Sequence, residues 1–444
     1  MACAERSCLL SRRGLTYLRR PALALVDQAS TSGAHLVLNV LLARSLELTT
    51  YGSFAMAFAC SLFVSVIHGG ALLDPISIVG PTRARTGWDE YVAGQCRAHL
   101  RISTRLAVLP LLLSALAFTL AAPPALVQAL MLTGITLPAV LAVTVVKRLL
   151  LAADRPERAA VAAVTYGTVV VGGAVMVWRV HHLSLAAAYV LMASAGLLGS
   201  LALWHPRQWV GLMRALHPRR HEDGRAEQRK EASALVPAAI LAFALSQLAL
   251  PLVSLLLDTA TAGIYRAMQM PMIAAGQVIS ALSTMALPRF ASAYVQGDDG
   301  RLRSQVHALA TGLLMVCLAF EGLLLLVHEP LTVLLFGERF RSASSLMPIF
   351  GLVGVVSCAG TVYGAALRAM RRGSTQVVST AAAAAAGIPV TVLLTSVYGL
   401  SGAAAASVIG YAIFTAMNWH QYGRSATCDR TGSLGPSLPE NASA

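Results

Sequence analysis

Residues 106–146 read LAVLPLLLSALAFTLAAPPALVQALMLTGITLPAVLAVTVV, and no charged side chain interrupts them. A helix needs about 20 apolar residues to cross a bilayer core about 30 Å thick. The stretch therefore holds two crossings, with Ala121-Ala122-Pro123-Pro124 as the turn between them. Comparable runs lie on both sides of it. They fall at 22–43, 52–79, 106–122, 125–146, 159–178, 183–204, 233–256, 263–287, 306–327, 345–367, 375–397 and 401–422. This spacing predicts an all-α polytopic membrane protein of about twelve transmembrane helices. Prolines inside the runs, such as Pro138, Pro251, Pro271, Pro348 and Pro389, are compatible with this, because neighbouring helices re-satisfy the freed backbone groups.

Composition points the same way. Of 444 residues, 56% are hydrophobic and 12% charged, against about 25% charged in soluble domains. The net charge of +14 does not argue for nucleic acid, which needs a basic face on a folded domain; the arginines here sit in short clusters between apolar runs. Cytoplasmic loops retain Lys and Arg. With the N-terminus inside, 29 of the 34 Lys and Arg fall in cytoplasmic segments and four in outer loops, leaving Arg266 within a run. Both termini are thus expected in the cytoplasm. Asp27, Gln28, His35 and Asn39 interrupt the first run, which reads as a retained helix and not a removed signal peptide. The seven cysteines form no CxxC pair and suggest neither a disulfide framework nor a zinc site.

An internal repeat divides the chain. Leu150-Leu151-Ala152-Ala153-Asp154-Arg155 matches Leu367-Arg368-Ala369-Met370-Arg371-Arg372 at an offset of 217, and the same offset aligns Leu183-Ser184-Leu185-Ala186-Ala187-Ala188 with Leu400-Ser401-Gly402-Ala403-Ala404-Ala405. Tyr51-Gly52-Ser53-Phe54 resembles Ala262-Gly263-Ile264-Tyr265 at an offset of 211. The expected organisation is a basic tail at 1–21, a six-helix lobe at 22–204, a basic linker at 205–232, a second six-helix lobe at 233–422 and a tail at 423–444. Six crossings per half give both lobes the same orientation, which makes them pseudo-symmetric about an axis along the membrane normal. Transporters built this way bind cargo between the halves and rock them.

Polar residues inside runs are costly and face a cavity or another helix. Gln28, Thr31 or Ser32, His35 and Asn39 recur on one helix face; Gln247, Ser254 and Asp258 repeat the idea in the seventh run; Arg266, Gln269, Gln277, Ser280 and Thr284 align in the eighth. Each such residue has a plainer reading as interhelical hydrogen-bond glue, but three continuous stripes favour a wet central cavity. Arg266, Gln269, Gln277, His35, Asn39 and Gln247 are the candidate cargo-binding residues. Arg266 either snorkels to the outer surface or pairs with a phosphate. His35 is either a proton switch or a hydrogen-bonded bundle histidine. Glu321, the deepest acid, is a candidate for ion coupling, or pairs with a neighbouring helix or reaches outer-leaflet water; Asp27 and Asp74, also coupling candidates, lie near cytoplasmic helix ends where solvation would account for them. Gly360-Thr361-Val362-Tyr363-Gly364 and the Ala381–Ala386 run suggest close helix approach. There is no GxGxxG, no Walker-type loop and no HExxH, so the reading is a transporter and not an enzyme, without cofactor or metal.

Three sets of residues carry a family resemblance. Leu42-Ala43-Arg44 followed by Tyr51-Gly52-Ser53-Phe54-Ala55 is the first, and Ala262-Gly263-Ile264-Tyr265 leading to Leu287-Pro288-Arg289-Phe290 the second. The third runs from Phe336-Gly337-Glu338-Arg339-Phe340 through Leu367-Arg368-Ala369 to Tyr398-Gly399-Leu400-Ser401-Gly402-Ala403-Ala404. In order and spacing they resemble the polysaccharide (O-antigen-type) flippase branch of the multidrug/oligosaccharidyl-lipid/polysaccharide exporter superfamily. The resemblance implies translocation of a polyprenyl-diphosphate-linked oligosaccharide from the cytoplasmic to the outer leaflet of a bacterial inner membrane. Membrane lipid and other polysaccharide assembly proteins are the partners it implies, with no nucleic acid. Arg266 would meet the diphosphate, with Arg83, Arg85 or Arg368 as contacts at the cytoplasmic mouth. The competing readings are a cation-coupled multidrug exporter and a lipid II-type flippase.

Overall fold

The structure is a computed structural model, and it describes residues 2–83, 88–180, 182–201, 236–237 and 239–431. The expected linker at 205–232, together with Arg85, lies outside the described residues. The chain runs through α1 (Ala2–Ser45), α2 (Leu48–His68), a π-helical segment (Gly69–Leu73), α3 (Asp74–Arg83), α4 (Trp88–Thr119), α5 (Pro124–Ala152), α6 (Pro156–Arg179) and α7 (Leu185–Ser200). The second half comprises α8 (Ala239–Gln247), α9 (Ala249–Leu256), α10 (Thr259–Val295), α11 (Asp299–Phe336), a 3-10 turn (Glu338–Ala343), α12 (Leu346–Ala369) and α13 (Gly373–Thr431).

Each expected run is mostly helical where it is described, with turn or coil at 120–122, 183–184 and 345 at run ends and at Leu248 within the seventh run. Among the described residues, eight helices are long and apolar enough to cross a membrane, and α8 with α9, bent by 47°, makes a ninth. The helix over the sixth run, α7, is shorter, and α13 holds the last two runs, broken by non-helical backbone at Gly399. Helices overrun the apolar stretches that predicted them. α4 begins at Trp88, so Arg97, Arg101 and Arg105, expected in a loop, stand on a helix. Phe118 is 74% exposed and Leu326 82%; a lipid-facing surface accommodates side chains like these, whereas water would leave them as aggregation sites.

The repeat is present in the backbone. Asp154 and Arg371, 217 apart, both have φ of 57°. At the first, the N–H groups of Ala153, Asp154 and Arg155 donate to the carbonyls of Leu149, Leu151 and Leu150 at 3.0, 3.1 and 2.9 Å. At the second, those of Met370, Arg371 and Arg372 donate to Ala366, Arg368 and Leu367 at the same three distances. Each is a Schellman C-cap, which satisfies helix-end carbonyls by turning one residue left-handed. The GxxxG reading holds as close approach: a Cβ on Gly360 would stand 2.4 Å from Thr415 Oγ1, and Asn418 Nδ2 donates to Gly360 O at 3.2 Å.

Candidate functional site

The two halves meet along two seams. One is made by α2. Gly52 lies so close to the start of α10 that an added Cβ would be 1.8 Å from the Thr259 carbonyl oxygen, and one on Gly263 would be 3.1 Å from Gly52 Cα. The glycines of the 211-residue repeat therefore face one another across the molecule. Further along α2, the Phe63 ring packs 5.0 Å from that of Phe243, and Gly70 abuts the backbone of Val236. From Gly52 to Gly70 the seam extends about 27 Å, at 1.5 Å per residue. The second seam is made by α1. Gln28 Nε2 donates to Gln277 Oε1, Arg44 Nη1 to Leu334 O at 3.1 Å, and Arg339 Nη2 to Ala43 O.

Local sequence chemistry fixes the end at which Gly52 and Gly263 meet. Asp258 caps α10, accepting from Thr261 N–H and Thr261 Oγ1, each at 2.7 Å. Burial raises its carboxyl, but the Thr261 hydroxyl and the N–H groups of Thr261 and Ala260 outweigh that and hold it below the ordinary carboxylate range. In the 3-10 turn, Phe340 is fully buried and meets the Tyr51 ring edge-on at 6.4 Å. The hydrogen bonds and charge of Arg341 keep the Glu338 carboxyl low; Arg341 also reaches Glu329 at 2.5 Å.

Between the seams, one turn past Gly263, lies Arg266, only 4% exposed. Snorkelling does not describe it. Its Nη1 reaches the amide oxygens of Gln247 and Gln269 at 3.5 and 3.4 Å, and its guanidinium stands over the Phe58 ring at 5.8 Å. Nε has no hydrogen-bond partner, and no carboxylate among the described residues forms an ion pair with Arg266. The other face of the cluster belongs to the first half. His35 meets Phe58 edge-on at 5.4 Å, and its Nε2 is hydrogen-bonded to Tyr166 OH at 2.7 Å. Asn39 is buried, donates to His35 O at 2.8 Å, and leaves Oδ1 without a partner. The structure thus brings His35 and Arg266 to the Phe58 ring, with Gln247 and Gln269 on Arg266, while Asn39 bonds within its own helix one turn from His35 and Gln277 stands with Gln28.

The acids lie elsewhere. Asp27 pairs with Lys147 on α5 at 2.5 Å, and Lys147 also donates to Thr31 at 3.1 Å; the two charged side chains are 24% and 15% exposed, so ion pairing and not interfacial solvation accounts for Asp27. Asp74 has Arg148 as its charged neighbour. Glu321 is buried within the second half, its Oε2 without a hydrogen-bond partner and pressed against Gly351 of α12. The side chains of Arg83 and Arg85 are outside the described residues, and Arg368 donates to Gln376 at 2.9 Å. Phe58 and Tyr166 are single aromatic residues in apolar runs, and nothing in the sequence marks them as part of this cluster. His68 and His99, 31 positions apart, are likewise buried and joined at 3.0 Å.

Neither a family model nor a curated protein sequence matches the chain. Solved structures do. One, described as an inward-facing conformation of a multidrug resistance MATE family transporter of the MOP superfamily, aligns at TM-score 0.76 and 13% identity over 92% of this chain and 96% of that one. The fold is that of MATE transporters. An outward-facing conformation from the same family aligns at TM-score 0.67 and 12% identity over 93% and 96%. A MOP superfamily transporter from Pyrococcus furiosus, described as having a binding pocket of reverse polarity that suggests a different function, aligns at 0.68 and 12% over 93% and 96%. In this chain the seam at Gly52 and Gly263 is closed.

Proposed function

We propose that the chain is an alternating-access membrane transporter whose cargo presents an anionic group to Arg266. The observation that carries this is the guanidinium itself, buried between the halves with two long hydrogen bonds to neutral amides and no carboxylate among the described residues to neutralise it. A buried charge is costly unless paired, so this site favours an anion and disfavours the cationic solutes that a carboxylate-lined cavity would take. Two of the structures of the same fold are described as multidrug resistance transporters, and an exporter of organic solutes is the reading they support. His35, Asn39, Gln247 and Gln269 then supply the polar contacts, and the Phe58 ring supplies apolar and cation–π contact.

A second reading, lipid-linked oligosaccharide translocation in a bacterial inner membrane with both termini cytoplasmic, rests on the sequence signatures. The buried Arg266 also favours it, since its planar fork suits a diphosphate. Glu321 remains the candidate for ion coupling, for its depth and its unpartnered Oε2. One experiment separates these readings. Proteoliposomes holding the chain or its Arg266→Gln variant are assayed with labelled organic anions, organic cations and a polyprenyl-diphosphate glycan. Anion transport that falls at least tenfold in Arg266→Gln supports the exporter, and glycan movement alone selects the second reading. Cation transport equal in both proteins refutes the role of Arg266.

A further inference from the structure

A second polar cluster lies inside the first half, away from Arg266. His68 at the end of α2 is fully buried, and His99 on α4 is nearly so. Their hydrogen bonds fix where the protons are. His99 Nε2 lies 3.1 Å from Pro138 O, and a carbonyl can only accept, so Nε2 carries the hydrogen. In a neutral ring His99 Nδ1 is then a bare acceptor, which makes His68 Nε2 the donor across 3.0 Å. Neutral His68 is left with a bare Nδ1, and this atom is buried without a partner. No metal explains it: no group of three or more His, Cys, Asp or Glu among the described residues could hold one.

The charged groups of the surrounding elements are engaged elsewhere. Asp74 on α3 has Arg148 of α5 for its neighbour, and Lys147 of α5 is held by Asp27. On α4, Arg97 has partners of its own, Arg101 is exposed and donates to Arg97 O, and Arg105 is exposed. What faces His68 is the His99 ring from α4, 5.2 Å between centroids, and behind it the Pro138 carbonyl from α5. A proton added at Nδ1 would create a buried imidazolium whose new N–H has no acceptor in this arrangement, which is costly. The neutral pair and the present packing of α2 belong together.

His68 is also where α2 changes its winding. The π-helical segment Gly69–Leu73 follows directly; such wide turns are found frequently at functional sites. Its Gly70 touches Val236, and Phe63, within two turns of His68, packs on Phe243. A change at the histidine pair thus has a short path to the seam between the halves.

We propose that His68 and His99 form a proton-binding site whose occupancy governs the seam that α2 makes with Val236 and with α8: a proton taken up at His68 Nδ1 releases that seam. A proton that binds one arrangement of the lobes better than the other shifts the population between them, and the coupling is reciprocal. The proposal needs no particular cargo and stands whether or not Arg266 binds an anion.

The test uses the full chain in lipid nanodiscs, with spin labels at the exposed ends of α4 and α10, at positions 90 and 295, in a cysteine-free background. Between pH 8 and pH 5 the interlabel distance is expected to shift by several ångströms, on the order of other lobe motions. The shift should disappear in His68→Gln and persist in His420→Gln, an exposed control. In parallel, nitrogen-15 histidine spectra of the parent should show one buried ring whose Nδ1 passes from bare to protonated over the same range. This spectrum decides the matter even if His68→Gln does not fold. A distance that shifts equally in His68→Gln overturns the proposal, as does a parent whose lobes move with pH while no buried histidine titrates.

Discussion

At the scale of single residues, Arg371 shows what the repeat costs. A left-handed backbone pushes Cβ of an L-residue toward the following carbonyl, at a cost of about 1–2 kcal/mol. Aspartate tolerates that region better than arginine, so Asp154 and Arg371, at the same φ in equivalent caps, bear it unequally. Arg371→Gly is expected to raise stability by about 1 kcal/mol, and Asp154→Gly by less, as measured by thermal unfolding in detergent; equal destabilisation by both would show that the side chains, and not the caps, matter there. The repeat was legible from Leu150–Arg155 and Leu367–Arg372, but their left-handed turns were not, because neither carries glycine at the turn. Arg266 was legible as the lone cation left within a run after orientation. Its depth was not, because one turn from a helix end reads as a snorkelling position until Gly52 and Gly263 are seen to close over it.

At the scale of elements, α1 and α5 are joined by a charge pair that sequence placed at solvated ends. Asp27 and Lys147 lie 120 positions apart on runs that nothing local connects, and only the packing brings them within 2.5 Å. Truncating one partner strands the other in partial burial. Asp27→Asn and Lys147→Met should each lower the unfolding temperature, and the double variant should lose less than their sum, with a coupling energy on the order of 1–3 kcal/mol. Strict additivity would show the pair to be an incidental contact. The same limit on what local sequence conveys applies to α4. Its apolar stretch was plain, whereas the polar-looking segment with Arg97, His99 and Arg101 read as loop; burial of His99 against His68 and Pro138 accompanies the helix that continues through it.

At the scale of the whole molecule, the twelve runs, the two halves and the approach of Gly52 to Gly263 form one consistent scheme. Apolar length specifies the helices, the even number of crossings per half gives two like-oriented lobes, and the repeated glycines mark where those lobes close. What sequence could not supply is which lobe arrangement is adopted, since both use the same residues and differ only in the contacts between halves. The central claim is that this closure is one of two states. Val180 and Leu255 are exposed at the same end of the bundle as Gly52, one on each half. In Gly52→Val the added side chain meets Thr259 backbone, which cannot yield as a flexible side chain would. The decisive measurement is the distribution of distances between spin labels at positions 180 and 255, in the parent and in Gly52→Val. A short population is expected in the parent and lost in Gly52→Val in favour of a longer one, with the protein still folded; the same distribution in both proteins would contradict a two-state closure.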